Sequence, residues 1–364
     1  MPLATSPDSQ ARSQPAASAV ELQKKPASRF LLTYCMTLVL LGAGLCALVT
    51  ATDPHRVFFG SPIPQIFPNA RRTKIDLFRA YSKQKVSGLI LGTSTSAGLR
   101  PELADRLTGL RFFNASVNSG TTDDYLAFYR LFSHLQSVPP RAVVIGVDTV
   151  FLSSNIELSR DLSKQYDLSR ELGTSTSLPM HYARLYWSYF NFKTFTDFRT
   201  SLSNWRSPEE PFYQYYPNGK LRPVKSDREI LNGTYDRRGH ILDAMNSRLP
   251  LYRDFGSVST ARVGRLESLL QDASRDRAQV VLWFTPMHPE LRAAVDQLQA
   301  SPVIDQARKA VTALGIRYGA RVVDLSRPES FGGGPSTWYD AVHVSPADAD
   351  RELEHVISQI TRSN

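Results

Sequence analysis

Cysteine is nearly absent: of 364 residues only Cys35 and Cys46 carry a thiol, and both fall in one apolar segment. This excludes a disulfide framework and a cysteine-ligated metal site for the rest of the chain. It also leaves that part free to stand in an oxidising compartment. No His-Glu-x-x-His and no clustered His/Asp set occurs, so neither a metal nor another cofactor is expected. The formal net charge is +9, yet no lysine-rich block or nucleic-acid motif accompanies it, which argues against a nucleic-acid partner. Internal repeats and a second long apolar run are missing too. What remains is 42% apolar and 21% charged, an ordinary globular composition with enough chain for a sizeable core.

Residues 1–29 are rich in Ser, Ala, Pro and Gln and read as a disordered tail. From Phe30 to Ala51 the chain carries no charge, and about 20 such residues suffice to cross a bilayer. A cleaved signal peptide is the competing reading. The basic flank begins only at Lys24 and Lys25, and the run exceeds the ~7–15 residues of a signal core, so an uncleaved anchor fits better. Lys24, Lys25 and Arg29 place the N-terminus in the cytoplasm and the remainder outside. Residues 53–85 read as a juxtamembrane lead-in, punctuated by Pro54, Pro62, Pro64 and Pro68 and helical over Lys74–Lys83.

Beyond it, short apolar runs alternate with amphipathic stretches. Leu89–Leu91, Phe112–Asn114, Ala142–Val147, Gln279–Phe284 and Arg321–Asp324 read as strands. Thr122–Leu135, Val258–Ser274, Val303–Leu314 and Ala347–Thr361 read as helices. This alternation predicts an α/β domain over 86–361 with a parallel sheet covered on both faces and ligands at the strand ends. Residues 153–257 break the rhythm and form an aromatic-rich insertion, with Asn218-Gly219 marking a hairpin turn. Its rings suit stacking on sugars, but the simpler reading is that they make the insertion's own core.

Two motifs carry the chemistry. Gly92-Thr93-Ser94-Thr95-Ser96 follows the run ending at Leu91, and Asp340-Ala341-Val342-His343 precedes the last helix. A serine at the end of a buried strand, joined by a distant Asp and His, is how a nucleophilic triad is assembled: Ser94 attacks, His343 takes its proton, Asp340 orients the ring. Each motif alone is commonplace, the first as a capped strand-to-helix turn. Ser96 reads as a helix-entry cap. His288, in Thr285-Pro286-Met287-His288-Pro289, either lines the same cleft or is a loop histidine held by its prolines.

Phe113-Asn114-Ala115-Ser116-Val117-Asn118-Ser119-Gly120-Thr121-Thr122 resembles the second conserved block of the SGNH/GDSL hydrolases, including their thioesterase and lysophospholipase branch. Ser94 matches the nucleophile of their first block, with Thr93 where the family usually has Asp; Asp340 and His343 match the Asp-x-x-His of their last. The resemblance covers residues 86–150 and 278–361 and not the insertion. It implies a three-layer, flavodoxin-like α/β fold and acyl cleavage or transfer, with the backbone N–H groups of Ser94 and Gly120 in the oxyanion hole. The family's third block is Gly-x-Asn-Asp, whereas Gly146-Val147-Asp148 here puts Asp148 at the Asn position, and an ionised carboxylate cannot donate. Three alternatives stay open: Asp148 faces elsewhere, a different donor such as Asn118 serves, or the site is not a competent hydrolase. Asp148, like His288, is a candidate cleft residue.

The layout is also similar to membrane-anchored periplasmic SGNH-like proteins that modify envelope glycans, namely those of alginate and cellulose O-acetylation and of teichoic-acid D-alanylation. In the alginate proteins the Asp and His precede the serine; here they follow it. This likeness implies a single-pass protein of a bacterial inner membrane with its C-terminal domain in the periplasm. It implies an envelope polysaccharide or acylated glycan as substrate and a multispanning membrane-bound O-acyltransferase as partner. The function expected is O-acyl, in particular O-acetyl, transfer or esterase chemistry. The alternatives are an inactive glycan-binding or scaffold subunit and a lipid esterase.

Overall fold

A computed structural model describes residues 17–53, 55, 69–157, 160–189, 192–206, 212–334 and 337–361. Residues 1–16 of the expected tail and all four lead-in prolines, Pro54, Pro62, Pro64 and Pro68, lie outside the described residues. A long helix, α1 (Ala17–Thr52), contains the apolar run and starts well before it. Its Ala27–Thr52 portion is long and apolar enough to cross a membrane, as an anchor or a signal sequence would be.

Five strands form one parallel sheet: β1 (Gly88–Leu91), β2 (Phe112–Asn114), β3 (Ala142–Val147), β4 (Gln279–Phe284) and β5 (Arg321–Asp324), in the order β2-β1-β3-β4-β5. All five strands are where the apolar runs put them. The helices around them are α2 (Ala70–Tyr81), α3 (Ser94–Ala97), α4 (Pro101–Thr108), α5 (Thr122–Gln136), α6 (Arg237–Arg253), α7 (Thr260–Arg275), α8 (Pro289–Gln297), α9 (Ser301–Arg317) and α10 (Pro346–Thr361).

Alternation along each strand sorts the core into two layers. Leu89, Leu91, Val143, Ile145 and Leu282 face α2, α5, α7 and α9, whereas Ile90, Val144, Val281 and Trp283 face α4 and α10. Both faces are covered, which is why β1 and β3 are unbroken apolar runs rather than alternating ones. The strand order is flavodoxin-like, and its reversal point falls between β1 and β3. Ser94 follows the first of these strands and Asp148 the second.

The lead-in is not separate from the domain. Ile75 and Phe78 of α2 are buried in the larger core layer, Phe78 against Phe113 and Phe132. Arg71 makes two bonds to Asp124, at 2.7 and 2.9 Å, and both side chains are buried. Removing one partner of such a pair costs about 3–5 kcal/mol, because the other charge is left stranded. Asp124 also accepts the Thr121 N–H at 2.9 Å, so one carboxylate caps α5 and holds α2.

Lys74 is fully buried and donates to the carbonyls of Asn114 and Gly219 at 2.7 and 2.5 Å, with burial pushing its pKa well down. Gly219 is the tip of the expected Asn-Gly hairpin (Gln214–Tyr215 with Leu221–Arg222). Its φ is +86°, and a Cβ there would lie 2.1 Å from the Asn114 carbonyl, so only glycine fits. Asn218 accepts the Asn114 N–H at 2.9 Å, and the open edge of β2 is covered by the insertion.

Glu352 of α10 is buried under the sheet and accepts from Trp283 Nε1 at 2.6 Å. Burial pushes its carboxyl up to about 8, against the pull of the Trp283 N–H and with a further push from Asp348. The folded state therefore keeps Glu352 protonated where the unfolded chain ionises it. Stability from this group is complete below an ordinary glutamate pKa of ~4.3 and declines by about 1.4 kcal/mol per pH unit up to the raised value. Denaturant unfolding of the full chain should show stability falling between pH 5 and 8, and Glu352→Gln should flatten that slope.

Candidate active site

β1 delivers Ser94 through a tightly packed turn. Thr93 caps α3, its hydroxyl accepting the Thr95 N–H at 3.3 Å, and Ser94 opens the helix, half-buried. The loop after β2 is laced to this turn: Val117 donates to the Gly92 carbonyl at 3.1 Å and Ala115 to that of Ile90 at 2.8 Å. Ser96 fills the space beneath. A Cβ on Gly92 would meet its Oγ at 2.5 Å, and one on Gly146 at 2.2 Å. Ser96 is therefore neither nucleophile nor cap, since Thr93 holds the cap position. Its buried hydroxyl has no hydrogen-bond partner among the described residues.

Asn114, a residue of the resembling block, has a role that its motif did not reveal. Its side-chain N–H groups donate to the carbonyls of Ser96, Ala97 and Leu99 at 2.9, 3.3 and 3.1 Å, which ends α3 after one turn. Its Oδ1 accepts the Ser116 N–H at 3.0 Å.

Asp340 and His343 form a closed pair. Asp340 Oδ1 accepts the N–H groups of Val342 and His343, both at 2.8 Å, and Oδ2 stands 2.7 Å from His343 Nδ1. A carboxylate only accepts, so Nδ1 carries a proton, and in the neutral ring it is Nε2 that presents a lone pair. Burial pushes the Asp340 carboxyl up, but His343 and the two backbone donors outweigh it and hold the group below its ordinary value. The orienting charge thus persists on acidification, and its contribution to stability is lost only as the pH falls through the lowered value.

The loop bearing the pair is gripped from two sides. His288 donates its backbone N–H to the Ala341 carbonyl at 3.1 Å. From the insertion, Tyr235 donates to the Tyr339 carbonyl at 2.5 Å, and the Tyr339 hydroxyl reaches Asp227 at 2.5 Å. Nothing in the sequence pattern pointed to Tyr235, Asp227 or Tyr339, because the contacts span more than a hundred residues.

Ser94, Asn118, Asp340 and His343 line one cavity of about 360 Å³, completed by Tyr213, Tyr235 and Tyr339. Among the described residues no hydrogen bond joins the Ser94 hydroxyl to the His343 ring, so the Asp–His half of the constellation is formed and the Ser–His half is open. Catalytic contacts are often long without substrate and close in the reacting complex.

Besides that of Ser96 as a cap, three expectations need correction. The Gly120 N–H is engaged by the Val117 carbonyl at 3.0 Å and is not a free donor; Gly120 is small because a Cβ would lie 2.7 Å from the Gly92 carbonyl. Asp148 does not line the cavity of Ser94. It is buried at the head of the Thr149–Leu152 turn, in a neighbouring cavity of about 70 Å³ with Tyr252, Arg292 and Arg308, and 3.9 Å from Arg248. Burial pushes its carboxyl up, opposed by Arg248, the Val150 N–H and His343. His288 does not line the Ser94 cavity either: it is buried, caps α8 by accepting the Glu290 N–H at 3.3 Å, and packs edge-on against Trp338 at 5.4 Å. Of the three oxyanion donors expected, the Ser94 N–H at the head of α3 and the exposed Asn118 amide remain at the cavity. Among the described residues no group of three or more His, Cys, Asp or Glu could hold a metal ion.

The architecture is thus a three-layer α/β domain with a flavodoxin-like strand order, and Ser94 and the Asp340-x-x-His343 pair stand at one cavity. No family model matches the chain, and no curated protein does. Among solved structures it is similar to a GDSL-like lipase of Bacteroides thetaiotaomicron, at 12% identity and TM-score 0.38, covering 81% of this chain and 98% of that one. It is also similar to a proposed acylhydrolase of Bacteroides fragilis, at 12% identity and TM-score 0.37, covering 78% and 94%. Likeness at this level carries no weight for the activity.

The placement of His288 has a measurable consequence. His288→Ala removes a helix cap and a ring contact, worth together about 1–3 kcal/mol. It should lower stability by that amount in denaturant unfolding while leaving the reactivity of Ser94 toward a fluorophosphonate within a few-fold of the parent.

Proposed function

We propose that this chain is a membrane-anchored, serine-dependent acyl hydrolase or O-acyltransferase acting on a cell-envelope polysaccharide. The observation that carries the chemistry is the Asp340–His343 pair, 2.7 Å apart, facing the same cavity as Ser94. In this reading Ser94 Oγ attacks an ester carbonyl while its proton passes to His343 Nε2. The developing oxyanion is met by the Ser94 N–H and the Asn118 amide; one such donor is worth about 3–4 kcal/mol in the transition state. The proton then returns from His343 to the departing alcohol, leaving acyl-Ser94. Water or a sugar hydroxyl, deprotonated by the same histidine, releases the acyl group. Asp148 is not one of these donors, since it lines another cavity.

The glycan part of the reading is supported by the rings of Tyr213, Tyr235 and Tyr339 around the cavity, which suit the apolar faces of a sugar. The basic flank of α1 supports a periplasmic position for the domain, and the resemblance implies a multispanning membrane-bound O-acyltransferase as its partner. The open Ser94–His343 contact favours one competing reading, an inactive glycan-binding subunit.

Labelling separates the two. The full chain in detergent should form a covalent adduct with a serine-directed fluorophosphonate. Ser94→Ala should abolish it, and Asp340→Asn should slow acyl turnover by about 10⁴-fold, since the ring would then hold the wrong tautomer. An unlabelled parent whose Ser94→Ala variant leaves envelope acylation unchanged would sink the enzyme reading. Acyl groups on isolated polysaccharide, rather than free acid, would identify transfer over hydrolysis.

A further inference from the structure

Part of the insertion does not sit over the cavity but against the end of α1. Leu185 and Tyr189 of the Leu178–Tyr189 helix are buried together with Val49, with Leu45, Tyr182 and Tyr186 packed around them. Thr50 Oγ1 lies 2.8 Å from the Tyr186 hydroxyl. The next helix, Phe192–Arg206, also packs on α1, and His55 just beyond it stands 3.0 Å from Asp197. Counted from Phe30 at 1.5 Å per residue, a 30 Å hydrocarbon core is used up after about 20 residues. The contact at residues 45–50 therefore lies where the span meets the headgroups on the domain's side.

The Leu178–Tyr189 helix is two-faced. His181, Leu185 and Tyr189, at helical spacing, are buried. The opposite positions, Met180, Ala183, Arg184 and Trp187, are all exposed. Trp187 is 84% exposed, the highest value for a large apolar side chain among the described residues, and Met180 is 50% exposed. A lone exposed apolar residue needs no explanation. A tryptophan, a methionine and an arginine on one helix face, beside the mouth of a membrane span, have the composition of a headgroup-level anchor.

We propose that the Leu178–Tyr189 helix is an interfacial helix, resting on the lipid surface that holds α1 with Trp187 and Met180 inserted among the headgroups. The proposal rests on the reading of α1 as an uncleaved membrane anchor. It gives the domain a second membrane contact and so a fixed height and orientation over the bilayer.

The test uses the full chain, with Cys35→Ser and Cys46→Ser, in phosphatidylcholine nanodiscs. An environment-sensitive NBD probe is attached at Met180→Cys and, separately, at Leu40→Cys. Replacing the lipid by its 6,7-dibrominated form should quench both probes, the one at 180 by about half or more, as expected for a group near the interface. Adding Trp187→Ser should reduce the quenching at 180 without changing that at 40. If the probe at 40 is quenched while that at 180 emits as in water, α1 is inserted and the interfacial helix is refuted. A probe at 180 that is blue-shifted yet unquenched reports cover by protein, from a second copy or a membrane partner, and refutes it too. If neither probe is quenched, the anchor reading fails and the proposal falls with it.

Discussion

Ser96 occupies the space between Gly92 and Gly146, and a side chain on either glycine would collide with it. That close approach lets the chain leave β1, cross the head of β3 and enter α3 within a few residues. The loop after β2 is drawn into the same junction by the Val117 N–H on the Gly92 carbonyl and by the absence of a side chain on Gly120. Three strand ends thus meet at the point where the sheet order reverses, the place where parallel α/β sheets leave a crevice. Ser94 stands in that crevice because the backbone beneath it has no room to be elsewhere. Gly120 serves the junction as a spacer, its N–H already bound, which is why a role as oxyanion donor does not fit its geometry.

The remaining half of the site is held from outside the sheet. His288 caps α8 and anchors the Ala341 peptide, and the insertion contributes Tyr235 and Asp227 to fix Tyr339. The insertion is in turn fastened to the sheet edge by its hairpin, through Asn218 on Asn114 and the buried Lys74 on Gly219. Lys74 belongs to α2, which Arg71 and Asp124 tie to α5. The segment after the apolar span, the insertion and the loop of Asp340 and His343 are therefore mechanically continuous. A membrane contact at one end of this chain of supports would bear on the geometry at the other.

The strands and the long helices were legible in the sequence, since apolar runs and their periodicity report burial directly. The pairing of Asp340 with His343 was legible as well, because only two residues separate them and local geometry does the rest. Less could be read about what each polar group faces. Asp148 and His288 follow strands as cleft residues do, yet one turns into a neighbouring cavity and the other caps a helix. Which way a side chain turns after a strand depends on neighbours contributed from far along the chain.

By itself, then, the sequence determined the apolar span, the parallel sheet and the residue types able to act at its rim. These follow from local hydrophobicity, spacing and side-chain chemistry. Only the tertiary structure decided that Ser94, Asn118 and the Asp340–His343 pair share one cavity, that the Gly120 N–H is spent, and that aromatic residues of the insertion divide between the cavity and the foot of α1. Those outcomes rest on contacts between residues distant in sequence, which no local pattern encodes.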